Sequence, residues 1–78
     1  MILKMYAIKD ELNGFTCPIP LNNDEIAARY LKDQYESNPT VKNSPEHFSI
    51  WGMGTFDTET GKFETDIKLK GEARNYVS

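Results

Sequence analysis

The sequence predicts an α+β fold: β-β-α-β-β, an antiparallel sheet with one helix packed on one face. Three observations carry that expectation. Only residues 23–36 place apolar side chains at helical spacing. Residues 47–56 and 62–69 have strand composition and flank a Gly-containing turn. Residues 2–9 are short, apolar and rich in strand formers, which reads as a largely buried first strand.

Taken in order, the first strand runs into Asp10-Glu11-Leu12-Asn13-Gly14, where Asn-Gly favours the positive φ of a hairpin turn. Phe15-Thr16-Cys17 returns as a short second strand. Pro18 and Pro20 keep it off the centre of a sheet, because proline has no N–H for the ladder. Asn22 or Asn23 can cap the helix, and Asp24 and Glu25 suit the positive end of its dipole. Ile26, Ala27, Tyr30 and Leu31 form its apolar face, with Arg29, Lys32, Asp33 and Glu36 on much of the rest. Asn38-Pro39 ends the helix, and a loop is expected through Val41 to Pro45.

Residues 47–56 read as a central strand, with Phe48, Ile50, Gly52, Gly54 and Phe56 on one face and Trp51 and Met53 on the other. Gly52 and Gly54 suggest a bulge or a close crossing. Asp57 to Gly61 is a hairpin loop. Phe63, Thr65, Ile67 and Leu69 then alternate with Lys62, Glu64, Asp66 and Lys68, the pattern of a strand buried on one side. The domain is expected over residues 1–70, with 71–78 as a C-terminal tail anchored by Tyr76 and Val77.

At 78 residues the core is small, and chains of this size often add staples or a partner subunit. Cys17 is the single cysteine, so no disulfide can form within the chain, and a lone thiol fits a reducing compartment. Cys17 and His47 cannot supply a closed zinc site. No metal and no cofactor are expected. The apolar runs fall far short of the ~20 residues needed to span a bilayer. Met1 to Tyr6 lacks the basic-then-apolar order of a signal peptide. A cytoplasmic location, with no membrane contact, is expected.

Catalytic motifs are hard to assemble. Asp57 to Gly61 lacks the spacing of an EF-hand and reads as a turn. Gly52-Met53-Gly54 lacks the third glycine and following helix of a dinucleotide loop. Nothing brings Cys17 to His47 as a nucleophile and base. No enzyme is expected. The aromatics Tyr6, Phe48, Trp51, Phe56 and Phe63 all fall on strands. Most are needed for the core, but Trp51 points away from the Phe48/Ile50 face. A sheet that exposes aromatics beside lysines can stack single-stranded nucleic acid. The expected nucleic-acid-binding residues are therefore Trp51 with the one local basic concentration, Lys62, Lys68, Lys70 and Arg74. The formal net charge of −3 opposes attraction of the whole molecule to phosphate.

Several blocks resemble a known family. They are Tyr6 to Asp10, Gly14-Phe15 with Pro18 and Pro20, Asn23 to Ala27, and above all Ser44 to Trp51 followed by Gly54 to Asp57 and Thr60 to Phe63. This pattern is similar to the nonstructural protein of gokushovirus-type microviruses, bacteriophages of the Microviridae with single-stranded DNA genomes. His47 and Phe48 stand where that pattern has Asp and Tyr. The resemblance covers roughly residues 5–65. It implies a part in viral DNA replication in the host cytoplasm, favouring single-stranded genome synthesis through binding to single-stranded DNA or to viral or host replication proteins. The competing expectation is a module that binds a host factor without touching DNA. A homodimer is also expected, from the small core, the free strand edges and the second apolar set Leu3, Met5, Trp51 and Met53.

Overall fold

The computed structural model describes residues 1–77. Strand β1 (Ile2–Asp10) lies inside a five-stranded antiparallel sheet. On one side it pairs with two short strands, β2 (Gly14–Phe15) and β3 (Ile19–Pro20). On the other it pairs along its length with β4 (Phe48–Asp57), which pairs with β5 (Phe63–Glu72). The expected α+β architecture is present. The anticipated second strand is split in two around Pro18. Thr16 bridges the gap: its N–H donates to the Ile8 carbonyl at 2.8 Å, and its Oγ1 accepts from the Ile8 N–H at 3.0 Å. Pro20 sits on the edge, where a missing donor costs nothing.

Helix α1 (Asp24–Ser37) begins at Asn23, whose Oδ1 accepts from the Ile26 N–H at 2.9 Å. A second helix, α2 (Pro39–Asn43), follows where a loop was expected. Asn38 makes both junctions: its N–H donates to the Gln34 carbonyl at 2.8 Å, and its side chain accepts from the Thr40 N–H at 3.0 Å. Pro39 occupies the first helical position, where its missing N–H matters least.

The core forms where α1 crosses the middle of β1 and β4. Leu31 and Ile50 are fully buried. Around them pack Tyr6, Ile8, Ala27, Val41 and Ala73, with Tyr30, Phe48 and Tyr76 at the margin. Ile26 and Tyr30 of the expected helix face are half-buried, and Ala27 and Leu31 are wholly enclosed.

Two sheet expectations are corrected. Met53 is unmatched in the β1–β4 ladder, since Tyr6 faces Gly52 while Met5 faces Gly54. That bulge reverses the alternation of β4. Phe56 therefore lies opposite Leu3 and Phe63, on the face away from Phe48 and Ile50. The apolar side of β5 is also not buried: Phe63, Ile67 and Leu69 are 41, 50 and 46% exposed. The helix reaches this strand near Gly71, where an added Cβ would touch Ile50 and Leu31. It lies over the charged side of β5, and among the described residues no element covers the apolar side.

The segment expected as a tail instead completes β5 and then makes a 3-10 turn, Ala73–Tyr76. Ala73 is fully buried. Tyr76 is an anchor, its hydroxyl donating to the Ala28 carbonyl at 3.1 Å, whereas Val77 is 53% exposed. Ser78, the last residue of that tail, lies outside the described residues. No helix among the described residues is long and apolar enough to cross a membrane.

Candidate nucleic-acid interface

The sheet has two faces of opposite character. Cross-strand partners in an antiparallel ladder share a face, so the register assigns the side chains. On the helix side, beyond the end of α1, lies an open groove of about 380 Å³. Its charged lining is balanced: Lys4, Lys68 and Lys70 against Asp24, Glu64 and Asp66. Tyr6 is 2% exposed, and its hydroxyl donates to Asp24 Oδ1 at 2.6 Å. Lys70 Nζ donates to Asp24 Oδ2 at 3.1 Å. Burial, reinforced by the Asp24 hydrogen bond and charge, pushes the Tyr6 hydroxyl up to about 12. The Tyr6 and Lys70 hydrogen bonds hold Asp24 below the usual carboxylate range.

The opposite face is open and apolar. Ala7 faces Trp51, which faces Leu69, and Lys9 faces both Ser49 and Phe15. The Trp51 indole donates to Ser49 Oγ at 2.8 Å, which fixes the ring orientation. Phe15 meets Trp51 edge-on, with centroids 6.0 Å apart. Lys9 Nζ lies 5.6 Å from the Phe15 centroid and 5.7 Å from that of Trp51, within cation–π range of both. Further along, Phe56 and Phe63 form a second ring pair, centroids 6.5 Å apart. Among the described residues, the one acidic side chain at the strand positions of this face is Glu72, opposite Ser49.

The five residues expected to act together are therefore divided between faces. Trp51 is on the open face and half-buried. Lys62 is paired with Glu64 at 3.3 Å, and Lys68 with Asp66 at 3.4 Å, both on the helix side. Lys70 is held by Asp24. Arg74 Nε donates to Glu72 at 2.7 Å, beside a small recess that Trp51 and Leu69 also line. The cation that does accompany Trp51 is Lys9, which inspection of the sequence passes over. Its signal is parity: Lys9 follows Ala7 on the strand face opposite Tyr6 and Ile8. Cys17 and His47 line different cavities, the first an apolar cleft of about 290 Å³ between β1, β3 and α1.

These features define a small α+β domain whose sheet is covered by helix on one side and bare on the other, with aromatic rings and a lysine on the bare side. The chain belongs to a family of phage proteins. The family model described as "Phage ORF5 protein" matches residues 3–72, a span that takes in both helices and all of the five strands except Ile2. No curated protein and no solved structure matches it.

Proposed function

We propose that this phage protein acts in viral DNA replication, favouring single-stranded genome synthesis by binding single-stranded DNA on its open sheet face. The observation that carries this reading is the ammonium of Lys9 held over both Phe15 and Trp51. It sets a cation beside two rings on a surface whose one strand-borne carboxylate, Glu72, is paired with Arg74. Bases stack on such rings at about 1–3 kcal/mol each, whatever the sequence, while the cation meets phosphate. Phe56 and Phe63 extend the platform along β4. Lys62 and Lys68 contribute at most from the rim, since they project from the other face into ion pairs.

Trp51 is the sole tryptophan, so its fluorescence reports directly. Titration with single-stranded oligonucleotides should quench it, with affinity falling as salt rises. Lys9→Ala should weaken binding and flatten the salt slope by about one. Trp51→Ala should abolish most binding while the far-UV spectrum is retained, because the ring lies outside the core. In infected cells, loss of the gene should lower single-stranded progeny DNA and leave the replicative form near normal. Absent quenching and an absent salt slope would reject the DNA reading in favour of a host-factor partner.

A further inference from the structure

Strand β5 ends the sheet: among the described residues its outer edge pairs with no other strand. The 3-10 turn that follows it folds back against α1 and β4 and leaves that edge clear. A ten-residue edge with unpaired N–H and C=O groups is a template for another strand. Its charges say which strand. On the helix side the order is Lys62, Glu64, Asp66, Lys68, Lys70; the register shift that follows turns Glu72 to the open face, opposite Ser49.

We propose that β5 pairs antiparallel with the β5 of a second copy of this chain, about a two-fold axis through Ile67 and perpendicular to the sheet. In that register Asp66 faces Lys68 of the other copy and Glu64 faces Lys70. Symmetry repeats each contact, so every charged pair is opposite in sign. On the open face Ile67 meets its own copy and Thr65 meets Leu69.

Neighbouring registers do not share this property. Centring on Asp66 sets that carboxylate against itself and Lys62 against Lys70. Centring on Lys68 sets that ammonium against itself. Centring on Thr65 opposes Lys62 to Lys68 and Glu64 to Asp66, and centring on Leu69 opposes Lys68 to Lys70. Directly opposed like charges destabilise a ladder, so the strand specifies one register.

In the single chain Asp66 pairs with Lys68, and Lys62 with Glu64, all with side chains at least 65% exposed. Such pairs are worth little and exchange partners readily. Lys70 already holds Asp24, so the Asp66–Lys68 contacts carry most of the register. The two-fold axis puts both open faces on one side of a continuous sheet. This inference does not rest on the DNA reading and survives its failure.

The test is association of the full chain, followed by sedimentation at low salt over the micromolar range. The wild type should dimerise. Asp66→Lys and Lys68→Asp each place like charges across the axis and should each weaken self-association about tenfold or more, with unchanged far-UV spectra. An equimolar mixture of the two variants should associate again, since each then opposes the other's charges. The pair within one strand is absent from both variants and is not restored by mixing, so recovery reports contact between copies. A wild type that stays monomeric, a dimer indifferent to both reversals, or a mixture that remains monomeric would each overturn the proposal.

Discussion

Replacing Gly54 by Ala should do more damage than any other glycine-to-alanine change in the sheet. Gly54 has φ +134°, and a Cβ there would sit 1.9 Å from the Glu64 carbonyl oxygen. Ordinary contact begins at 3.4 Å, so β4 and β5 must separate by about 1.5 Å at this point. The backbone conformation itself costs a side-chain-bearing residue about 1–3 kcal/mol. Separation also weakens the pairs Gly54–Thr65, Thr55–Glu64 and Phe56–Phe63, and each lost ladder bond costs about 0.5–1.5 kcal/mol. The sum is about 3–5 kcal/mol. A 78-residue chain has about 4–12 kcal/mol in total. With a urea dependence of about 1 kcal/mol/M, the denaturation midpoint should fall by about 3–5 M or the variant should not fold. Gly52→Ala is the control. Its Cβ would meet Lys70 Cε at 2.9 Å, the far end of a flexible side chain that can swing away. Urea melts of both variants decide the matter: equal midpoints would refute the close approach of β4 and β5 at Gly54.

Leu31→Ala should cost about 2–5 kcal/mol, because Leu31 is fully buried between α1 and the sheet; an unchanged urea midpoint would show that another helix face is inward. Tyr6→Phe should cost about 1.5 kcal/mol at neutral pH through loss of the Asp24 hydrogen bond. Because the folded Tyr6 pKa lies above its unfolded value of 10.0, at about 12, its contribution is complete below pH 10 and lost as pH rises towards 12. The stability gap between wild type and Tyr6→Phe should therefore narrow over that interval; a gap constant across it would reject the burial of this hydroxyl. At the acid end the sign is opposite. Asp24 is held low, so its contribution is present above the ordinary carboxylate range and lost as pH falls through its folded value. Asp24→Asn should flatten that acid limb of the stability curve.

The core was legible because periodicity reports directly on side-chain direction. Ala27 and Leu31 sit one turn apart, and both are fully buried. The turn at Asp57 to Gly61 was legible from its residue types. Where reading failed, the missing information was long-range. Gly52 and Gly54 announced an irregularity, but its phase depends on how Met5 and Tyr6 meet β4. That phase decides which side Phe56 takes. The second helix was hidden because Asn38-Pro39 is both a stop for one helix and a start for the next. The side of β5 on which Phe63, Ile67 and Leu69 lie was correctly grouped, but alternation says which residues share a face and nothing of what covers it.

Coverage follows instead from length. Helix α1 has 14 residues, about 21 Å at 1.5 Å each, whereas the molecule is 42 Å along its longest axis. One such helix can seal only the middle of the sheet on its own side and none of the other. The sequence places charge accordingly. Lys62, Glu64, Asp66 and Lys68 stand on the helix side beyond the reach of α1, where they stay in water. The rings stand on the side with no helix at all. The net charge of −3 is therefore a poor guide to what the open face attracts, because Glu64 and Asp66 of β5 project from the other side and Glu72 is paired with Arg74. A surface potential is set by nearby charges within a Debye length of roughly 8–10 Å, and on the open face Lys9 stands against the rings while Glu72 is neutralised by Arg74. An acidic protein can thus present a cationic aromatic surface, provided its strands keep the two sets of side chains on opposite faces. The same segregation leaves the alternating charges of β5 along a free edge, where they select a partner strand without entering the aromatic surface.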